Sequence, residues 1–217
     1  MLELQGRVRL PVDTSLSVFL NCPFDSKYEP TFDAIFFAIV CSGFIPRSAL
    51  ESGNVAQPRI ERILSGLFSS KYSLHDLSRC RGEGDQQLAR FNMPLELGMA
   101  MARRFHGEVA GEDAHEWCVL VPDGHLYQQF ISDLAGFDPL KYDGDPASVV
   151  RKVVSWLVTR PEADPNVRPN HVLRNLPAFR SSKVQLLAEW GDQFPWWDLV
   201  QLATRHRPRE SSPDHET

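Results

Sequence analysis

Short apolar runs alternate with stretches of helical apolar spacing, and this alternation is the feature that most constrains the fold. The strand-length runs are 16–20, 44–46, 72–77 and 117–121, and the helical stretches between them are 30–42, 57–69 and a helix that starts near Asn92. Parallel strands joined by helices are buried on both faces and therefore appear as short apolar runs. The pattern predicts an α/β fold with an open parallel sheet, in a flavodoxin- or Rossmann-like three-layer α/β/α arrangement.

The remainder of the chain is predicted to be mainly helical. Apolar spacing favours helices over 126–134, 146–157 and 172–190, the last interrupted around Pro177, and the aromatic residues of 194–200 are expected to dock on the sheet domain. We therefore divide the chain into an α/β domain at 14–135, a helical extension packed on it at 136–204, and a tail at 205–217. The tail is charged and poor in apolar residues, which predicts disorder.

Charge and composition narrow the functional classes. Lys and Arg total 23 against 28 Asp and Glu, a formal net charge of -5, which argues against direct binding of nucleic acid. The sequence has no apolar run long enough to cross a membrane and no signal-peptide pattern at its start. The four cysteines form no metal-binding spacing, so we expect no metal site and free thiols in a cytoplasmic protein.

Glu96 is the most unusual residue of the chain, because it lies in a helical stretch that is otherwise apolar. Asn92 suits the N-cap of this helix and Pro94 its first turn. The residues that follow leave no solvated face, which predicts a buried helix carrying one carboxylate. Asn92 and Glu96 are four residues apart and are expected to share a face. The alternative is a first-turn Glu that complements the helix dipole.

Polar side chains follow the predicted strands, where open α/β sheets bind their ligands. Together with the start of the Glu96 helix, these positions give the candidate substrate-binding residues Asn21, Cys22, Pro23, Phe24, Asp25, Arg47, Ser73, His75 and Asn92, and the candidate catalytic residues Glu96 and Asp76. The carboxylates suit reaction at the anomeric carbon of a sugar, whose transition state resembles an oxocarbenium ion. We assign Glu96 to stabilise or trap that cation, and Asp76 to position substrate or transfer a proton.

Several of these residues have simpler interpretations, which the sequence leaves open. Arg47 could hold a phosphate or carboxylate of a ligand, or could only pair with a nearby acid. His75 could be a structural hydrogen-bonding residue rather than a base. Asp25 could cap the segment that follows it, and no neighbouring base supports a reactive Cys22.

Four segments resemble a group of uncharacterised bacterial proteins. This resemblance implies no established activity. The four segments are Asn21-Cys22-Pro23-Phe24-Asp25, the stretch from Tyr72 to Arg79, the stretch from Arg90 to Gly98, and the stretch from Phe130 to Gly136. The resemblance extends over most of residues 16–200.

More distantly, the layout is similar to nucleoside 2-deoxyribosyltransferases and to Toll/interleukin-1 receptor (TIR) domains that cleave NAD. Glu96-Leu97-Gly98-Met99-Ala100 fits the Glu-x-Gly-x-Ala helix start that carries the nucleophile of the transferases, and Asp76 sits where they have an Asp. Their first loop usually carries a Gly-Pro pair, whereas this chain has Cys22-Pro23. The resemblance implies an N-glycosidic substrate, and it allows a homo-oligomer because both kinds of enzyme often build sites between subunits.

Three hypotheses follow. The first is an enzyme that cleaves or transfers at the N-glycosidic bond of a nucleoside, nucleotide or NAD, which would be its substrate, with no separate cofactor. The second is a module that binds a nucleotide signal without chemistry in a bacterial assembly, for example an antiviral one. The third is a structural subunit in which Glu96 is only a capping or paired residue.

Overall fold

The computed structural model of the chain describes residues 13–51, 56–80, 91–106, 114–124, 127–129, 131–191 and 194–208. Its strands are β1 Ser17–Asn21, β2 Ile45–Arg47, β3 Tyr72–Asp76, β4 Glu116–Pro122 and β5 Leu140–Tyr142. Its α-helices are α1 Glu29–Cys41, α2 Arg59–Phe68, α3 Asn92–His106, α4 Pro146–Leu157, α5 Pro169–Trp190 and α6 Trp196–Arg205. Three short 3-10 helices cover Thr14–Leu16, Tyr127–Gln129 and Ser132–Gly136.

The five strands form one parallel sheet in the order β2-β1-β3-β4-β5. This is the flavodoxin-like order, so the predicted open α/β sheet is confirmed. Asn21 at the end of β1 pairs in register with His75 of β3, and Asp76 of β3 pairs with Leu120 of β4. The candidate residues of β1 and β3 are therefore neighbours at one edge of the sheet.

One face of the sheet is covered by α1 and α4, with α5 and α6 packed outside them. The helix α1 is buried along nearly its whole length, because the sheet lies on one side and α5 and α6 lie on the other. Phe37 of α1 stacks on Phe179 of α5 with ring centroids 4.9 Å apart, and Trp196 of α6 donates its indole N–H to the carbonyl of Pro46 over 2.9 Å. The docking predicted for the 194–200 aromatic cluster is thus confirmed.

The opposite face of the sheet carries α2 and α3. Phe19 of β1 packs there with Ile63 and Leu67 of α2 and with Ala100 of α3. The predicted complete burial of α3 is wrong. Large apolar side chains on its outer side are more than half exposed, namely Phe91 before its first residue at 63%, Leu95 at 58% and Phe105 at 64%.

Gly66 of α2 lies directly against the ring of Phe19. A Cβ built at Gly66 would lie 2.9 Å from Cε2 of that fully buried ring, closer than carbon atoms normally approach. We expect Gly66→Ala to lower the free energy of unfolding by about 1–3 kcal/mol, although alanine is the better helix former. Urea unfolding measures the change. The exposed neighbour provides a control, since Ser65→Ala should stay within about 0.5 kcal/mol of the parent; an equal effect of both variants would contradict the overpacking argument.

The segment 136–204, expected to be a helical extension, also supplies a strand of the sheet. β5 at Leu140–Tyr142 pairs with β4, and α4 packs against β5 and α1. Residues 205–208 of the expected tail are ordered at the end of α6, where His206 lies 2.9 Å from the Ser182 hydroxyl. Residues 209–217 of that tail lie outside the described residues. In the described segments no helix is long and apolar enough to span a membrane.

Two further helix predictions need correction. The helix α5 runs without interruption through Pro177, whose side chain is on the exposed side of the helix. The helix predicted over 126–134 is replaced, where the chain is described, by two 3-10 helices. Most of the predicted loop from Arg79 to Arg90 lies outside the described residues.

Candidate functional site

Asn21 joins the end of β1 to the start of α3. It is almost fully buried, and its side-chain amide donates a hydrogen bond to the backbone carbonyl of Met93 over 2.8 Å. Met93 lies in the first turn of α3. The carboxyl end of the sheet is therefore tied to the helix that carries Glu96, three residues further on.

Glu96 is buried in the second turn of α3, with 5% of its side chain exposed. Burial raises the pKa of its carboxyl from 4.5 to about 7, and the charge of Arg59 at the start of α2 opposes this only in part. No described residue donates a hydrogen bond to it. The first turn of α3 holds no acidic residue, so the helix-dipole interpretation of Glu96 is wrong.

A chain of buried hydrogen bonds runs from Asn21 under α3. The amide Nδ2 of Asn21 lies 2.9 Å from Nδ1 of His75 and can only donate, so Nδ1 accepts. Neutral His75 then carries its proton on Nε2 and donates to the Ser73 hydroxyl over 2.8 Å. The Ser73 hydroxyl also lies 2.9 Å from Nε2 of His115. Nδ1 of His115 lies 3.0 Å from the carbonyl of Ser70 and 3.1 Å from Nη1 of Arg103, which extends the chain of polar contacts to the guanidinium group.

Both histidines of this chain are held neutral. Burial lowers the pKa of His75 to about 3, and burial together with the charge of Arg103 lowers the pKa of His115 to about 4. His75 has both ring nitrogens occupied by Asn21 and Ser73. The structural interpretation of His75 is therefore confirmed: it orients Asn21 and is not placed to act as a base.

Asp76 lies at the end of β3 on the opposite face of the sheet from His75, among side chains of the α1 face. Its carboxylate accepts a hydrogen bond from the Tyr142 hydroxyl over 3.0 Å and one from the backbone N–H of Ser78 over 2.8 Å. The side chain is fully buried, and burial raises its pKa although these hydrogen bonds oppose the shift. Asp76 is thus a buried acid with no direct path to solvent in this conformation.

Two buried hydroxyls beside Asp76 have no hydrogen-bond partner in the described part of the chain. They belong to Tyr28 and Ser78, which lie close enough to Asp76 to influence its pKa without reaching hydrogen-bond geometry. Both hydroxyls lower the pKa of Asp76, so they belong to the same buried polar cluster. Sequence reasoning missed Tyr28 and Tyr142 as members of this cluster, because a tyrosine in a loop or on a three-residue strand carries no distinctive spacing.

Cys22 directly follows β1, close enough to Asp76 and Glu96 for their charges to affect its pKa. It is 2% exposed, and its pKa is raised far above the ordinary value by burial and by the charges of Asp76 and Glu96. A thiol in this environment stays protonated and is a poor nucleophile. Its electrostatic coupling to both acids nevertheless indicates that Asp76 and Glu96 flank the end of β1. All four cysteines of the chain are buried thiols, and none forms a disulfide.

The rest of the first loop is held by ordinary structural contacts. Asp25 forms an ion pair with Arg79 over 2.9 Å and accepts the backbone N–H of Tyr28, the residue before α1, over 3.2 Å. Pro23 is buried, and Phe24 packs edge-on against Phe32. These side chains shape the wall beside Cys22.

Arg47 and Asn92 differ from their predicted roles. Arg47 pairs with Glu51 over 2.6 Å, although one of its buried guanidinium nitrogens, Nη1, has no partner among the described residues. Asn92 is exposed and is the first residue of α3 rather than its cap, because the Leu95 N–H bonds to the carbonyl of Phe91. Asn92 and Glu96 both lie in α3 at the expected spacing of four residues, but Asn92 is exposed at the start of the helix whereas Glu96 is buried.

The structure thus gathers Asn21, Cys22, Asp76 and Glu96 at the carboxyl ends of β1 and β3, with Ser73 and His75 beneath them. No group of three or more histidine, cysteine, aspartate or glutamate side chains within the described segments is arranged to hold a metal ion. The two carboxylates of this arrangement can act in acid–base and electrostatic chemistry.

Comparison of the chain with protein-family models, with curated proteins and with solved structures finds no match.

Proposed function

We propose that the protein cleaves or transfers at the N-glycosidic bond of a nucleoside, a nucleotide or NAD, with Glu96 as the catalytic carboxylate. The observation that carries the proposal is the burial of Glu96 at the carboxyl edge of the sheet, where its pKa is raised to about 7. Strongly shifted carboxyl groups in such positions are typical of catalytic sites.

The reaction breaks the bond between the anomeric carbon of the sugar and a ring nitrogen of the base. The bonding electron pair leaves with the base, and the sugar becomes an oxocarbenium-like cation. Ionised Glu96 stabilises that cation or bonds to it. In hydrolysis water then adds its oxygen to the anomeric carbon and gives up a proton, and in transfer a second base adds a ring nitrogen and gives up the proton of that nitrogen; a bond to Glu96, where one has formed, breaks in this step and returns the carboxylate. Nicotinamide leaves NAD as a neutral molecule, so this substrate requires no acid for the leaving group.

Asn21 is proposed to act as a positioning residue for Glu96. Both hydrogens of its amide are used, one by the Met93 carbonyl at 2.8 Å and one by His75 at 2.9 Å. Its carbonyl oxygen accepts no hydrogen bond from a described residue, which leaves it available to a donor group of the substrate. Asp76 is proposed to assist by proton transfer or by holding the sugar, in keeping with the two unpartnered hydroxyls beside it.

The proposal predicts that kcat/KM increases with pH and reaches a plateau above about 7. Glu96 must be ionised to stabilise the cation, and burial keeps it protonated until its pKa of about 7. The measurement is the pH profile of base release between pH 5 and 9, on a protein shown to remain folded over that range. A flat profile, or one that falls with increasing pH, would contradict the role of ionised Glu96.

The experiment that tests the function is incubation with NAD and with a panel of ribonucleosides, deoxyribonucleosides and their phosphates. We expect free base to appear from at least one class, which chromatography against authentic bases detects. Addition of a second base tells hydrolysis from transfer, because transfer produces a new nucleoside.

A second candidate function is a module that binds a nucleotide without altering it. The complete burial of Asp76 and its hydrogen bonds with Tyr142 and Ser78 favour this binding function. A carboxylate whose two oxygens already accept hydrogen bonds is less available to react with a substrate. This function predicts that the bound nucleotide is recovered unchanged after prolonged incubation. Release of base in the experiment above would exclude it.

A further inference from the structure

An open surface cavity of about 520 Å³, lined mostly by exposed side chains, lies between α4 and the beginning of α5, away from the site of Glu96. Its lining residues are Arg151, Ser155, Arg168, Asn170, His171 and Arg174, together with Pro169. The helices α4 and α5 cover the face of the sheet opposite to α3. This volume is within the range of pockets that bind small molecules.

Helical spacing explains why these side chains converge. Arg151 and Ser155 are four residues apart on α4, and Asn170 and Arg174 are four apart on α5. Residues at this spacing share a helix face, and α4 packs against α5, so both sets face the same cavity.

The residues that line the cavity carry positive charge and no negative charge. Three guanidinium groups line it, and no carboxylate does. In the described part of the chain, none of these three forms an ion pair, whereas five other arginines do, namely Arg47, Arg79, Arg160, Arg180 and Arg207. Arg168 lies close enough to Asp164 to help lower the pKa of that acid, but Arg151 and Arg174 have no acidic partner among the described residues. Like charges around one cavity repel one another, which favours a bound anion.

The beginning of α5 adds to this positive potential. The N-terminal turn of a helix normally carries an acid or a short polar cap. Here the N-cap position is Arg168, no side chain caps the helix, and the first turn holds no acidic residue. Arg168 is fixed by hydrogen bonds from one guanidinium nitrogen to the carbonyls of Pro165 and Val167, both at 2.8 Å. The guanidinium group of this lining residue is therefore held in place.

We propose that this cavity binds a phosphorylated small molecule of nucleotide size that carries at least two phosphate groups. Arginine forks suit phosphate oxygens, and a helix N-terminus favours the same anions. Ser155, Asn170 and His171 supply additional hydrogen-bonding groups. The proposal does not depend on the reaction proposed for Glu96, because the cavity shares no residue with the candidate site at the carboxyl ends of β1 and β3.

The test is calorimetric titration of the full chain with inorganic tripolyphosphate, which has no glycosidic bond and so is not a substrate of the proposed reaction. We expect saturable binding, weakened at least tenfold in Arg151→Ala and in Arg174→Ala and weakened by added salt. Lys152→Ala is the matched control, since Lys152 is an exposed neighbour on α4 that does not line the cavity; it should bind like the parent.

Nucleotides then identify the class of ligand. ATP should displace tripolyphosphate from the parent, and adenosine should not. Absence of tripolyphosphate binding, or equal loss of affinity in Lys152→Ala and the two arginine variants, would overturn the proposal. Tighter binding of single-stranded RNA than of ATP through the same arginines would also overturn it in favour of a polymeric ligand. Both arginines are exposed, so the variants should keep the parent circular dichroism and melting temperature.

Discussion

Replacement of Glu96 by Gln is expected to lower kcat for base release by about 10²- to 10⁴-fold, the range associated with a single acid–base or charge-stabilising group. Gln has nearly the shape of Glu but no negative charge to stabilise an oxocarbenium ion. Because Glu96 is buried in α3 and accepts no hydrogen bond from a described residue, little else depends on its charge. The measurement is the initial rate of base release at pH 8 with saturating substrate.

The free energy of unfolding distinguishes a loss of catalysis from a loss of folding in Glu96→Gln. The folded-state pKa of Glu96 is raised from 4.5 to about 7, so the folded protein holds its proton more tightly than the unfolded chain. The stabilisation that protonated Glu96 contributes is complete below pH 4.5 and is lost as the pH increases to about 7. Glu96→Gln removes that loss, and at pH 8 the variant should be as stable as the parent or more stable by about 1–3 kcal/mol.

A matched control is available on the neighbouring helix. Glu61 is exposed in the first turn of α2, and Glu61→Gln makes the same chemical change at a site that we do not place in the machinery. It should retain the parent rate. Equal rates for the parent, Glu96→Gln and Glu61→Gln would remove Glu96 from the mechanism.

Replacement of Lys183 by Met is expected to lower the free energy of unfolding by about 3–5 kcal/mol, the usual result of removing one partner of a buried ion pair. Lys183 of α5 and Asp33 of α1 are both buried, with Nζ 2.5 Å from the carboxylate. Glu29 contacts the same ammonium group at 3.0 Å, but it is largely exposed and can turn to water. The variant would leave Asp33 buried with only the more distant Arg180, at 3.7 Å.

Urea unfolding of Lys183→Met measures this cost, and pH gives an independent check. Burial already raises the pKa of Asp33 although Lys183 and Arg180 oppose the shift. Without Lys183 that pKa increases further, so the deficit of the variant should shrink as the pH falls and Asp33 becomes protonated. The double variant Asp33→Leu with Lys183→Met should recover most of the loss. A deficit below about 1 kcal/mol at pH 7 would contradict a buried, interacting pair.

The sequence predicted the sheet well because its strands are buried on both faces. Runs such as 117–121 are continuous and apolar, and the helices between them show clear apolar spacing. β5 was not predicted, because it is only three residues long and is not buried on both faces: its Lys141 is exposed at the edge of the sheet. A strand of that length is defined by its pairing with β4 rather than by its own residues.

Pro177 and the outer side of α3 show where local rules fail. Proline normally interrupts a helix, yet α5 continues because Val172, Leu176 and Phe179 pack on the core and hold the helix on both sides of it. The apolar stripe of α3 predicted burial on all sides, whereas only the side bearing Met93, Leu97 and Ala100 reaches the sheet. Tertiary packing decides both outcomes, and the local sequence does not show which residues will pack together.

The candidate site was predicted in part. Strand order and the rule that ligands bind at the carboxyl ends brought Asn21, Asp76 and Glu96 to one edge, and the structure places them there. The partners of these residues could not be predicted, because Tyr142, Tyr28 and His115 reach the site from distant parts of the chain. Arg47 was a reasonable phosphate ligand until its pairing with Glu51 was visible.

The most direct test of the central claim is mass spectrometry of the parent and of Glu96→Gln after parallel incubation with NAD and the nucleoside panel. The account predicts that the parent releases a free base, with the matching sugar product, and that the Gln variant, folded and at equal concentration, leaves the same substrate intact. Release by both proteins, or recovery of every substrate unchanged with the parent, would contradict glycosidic chemistry at Glu96.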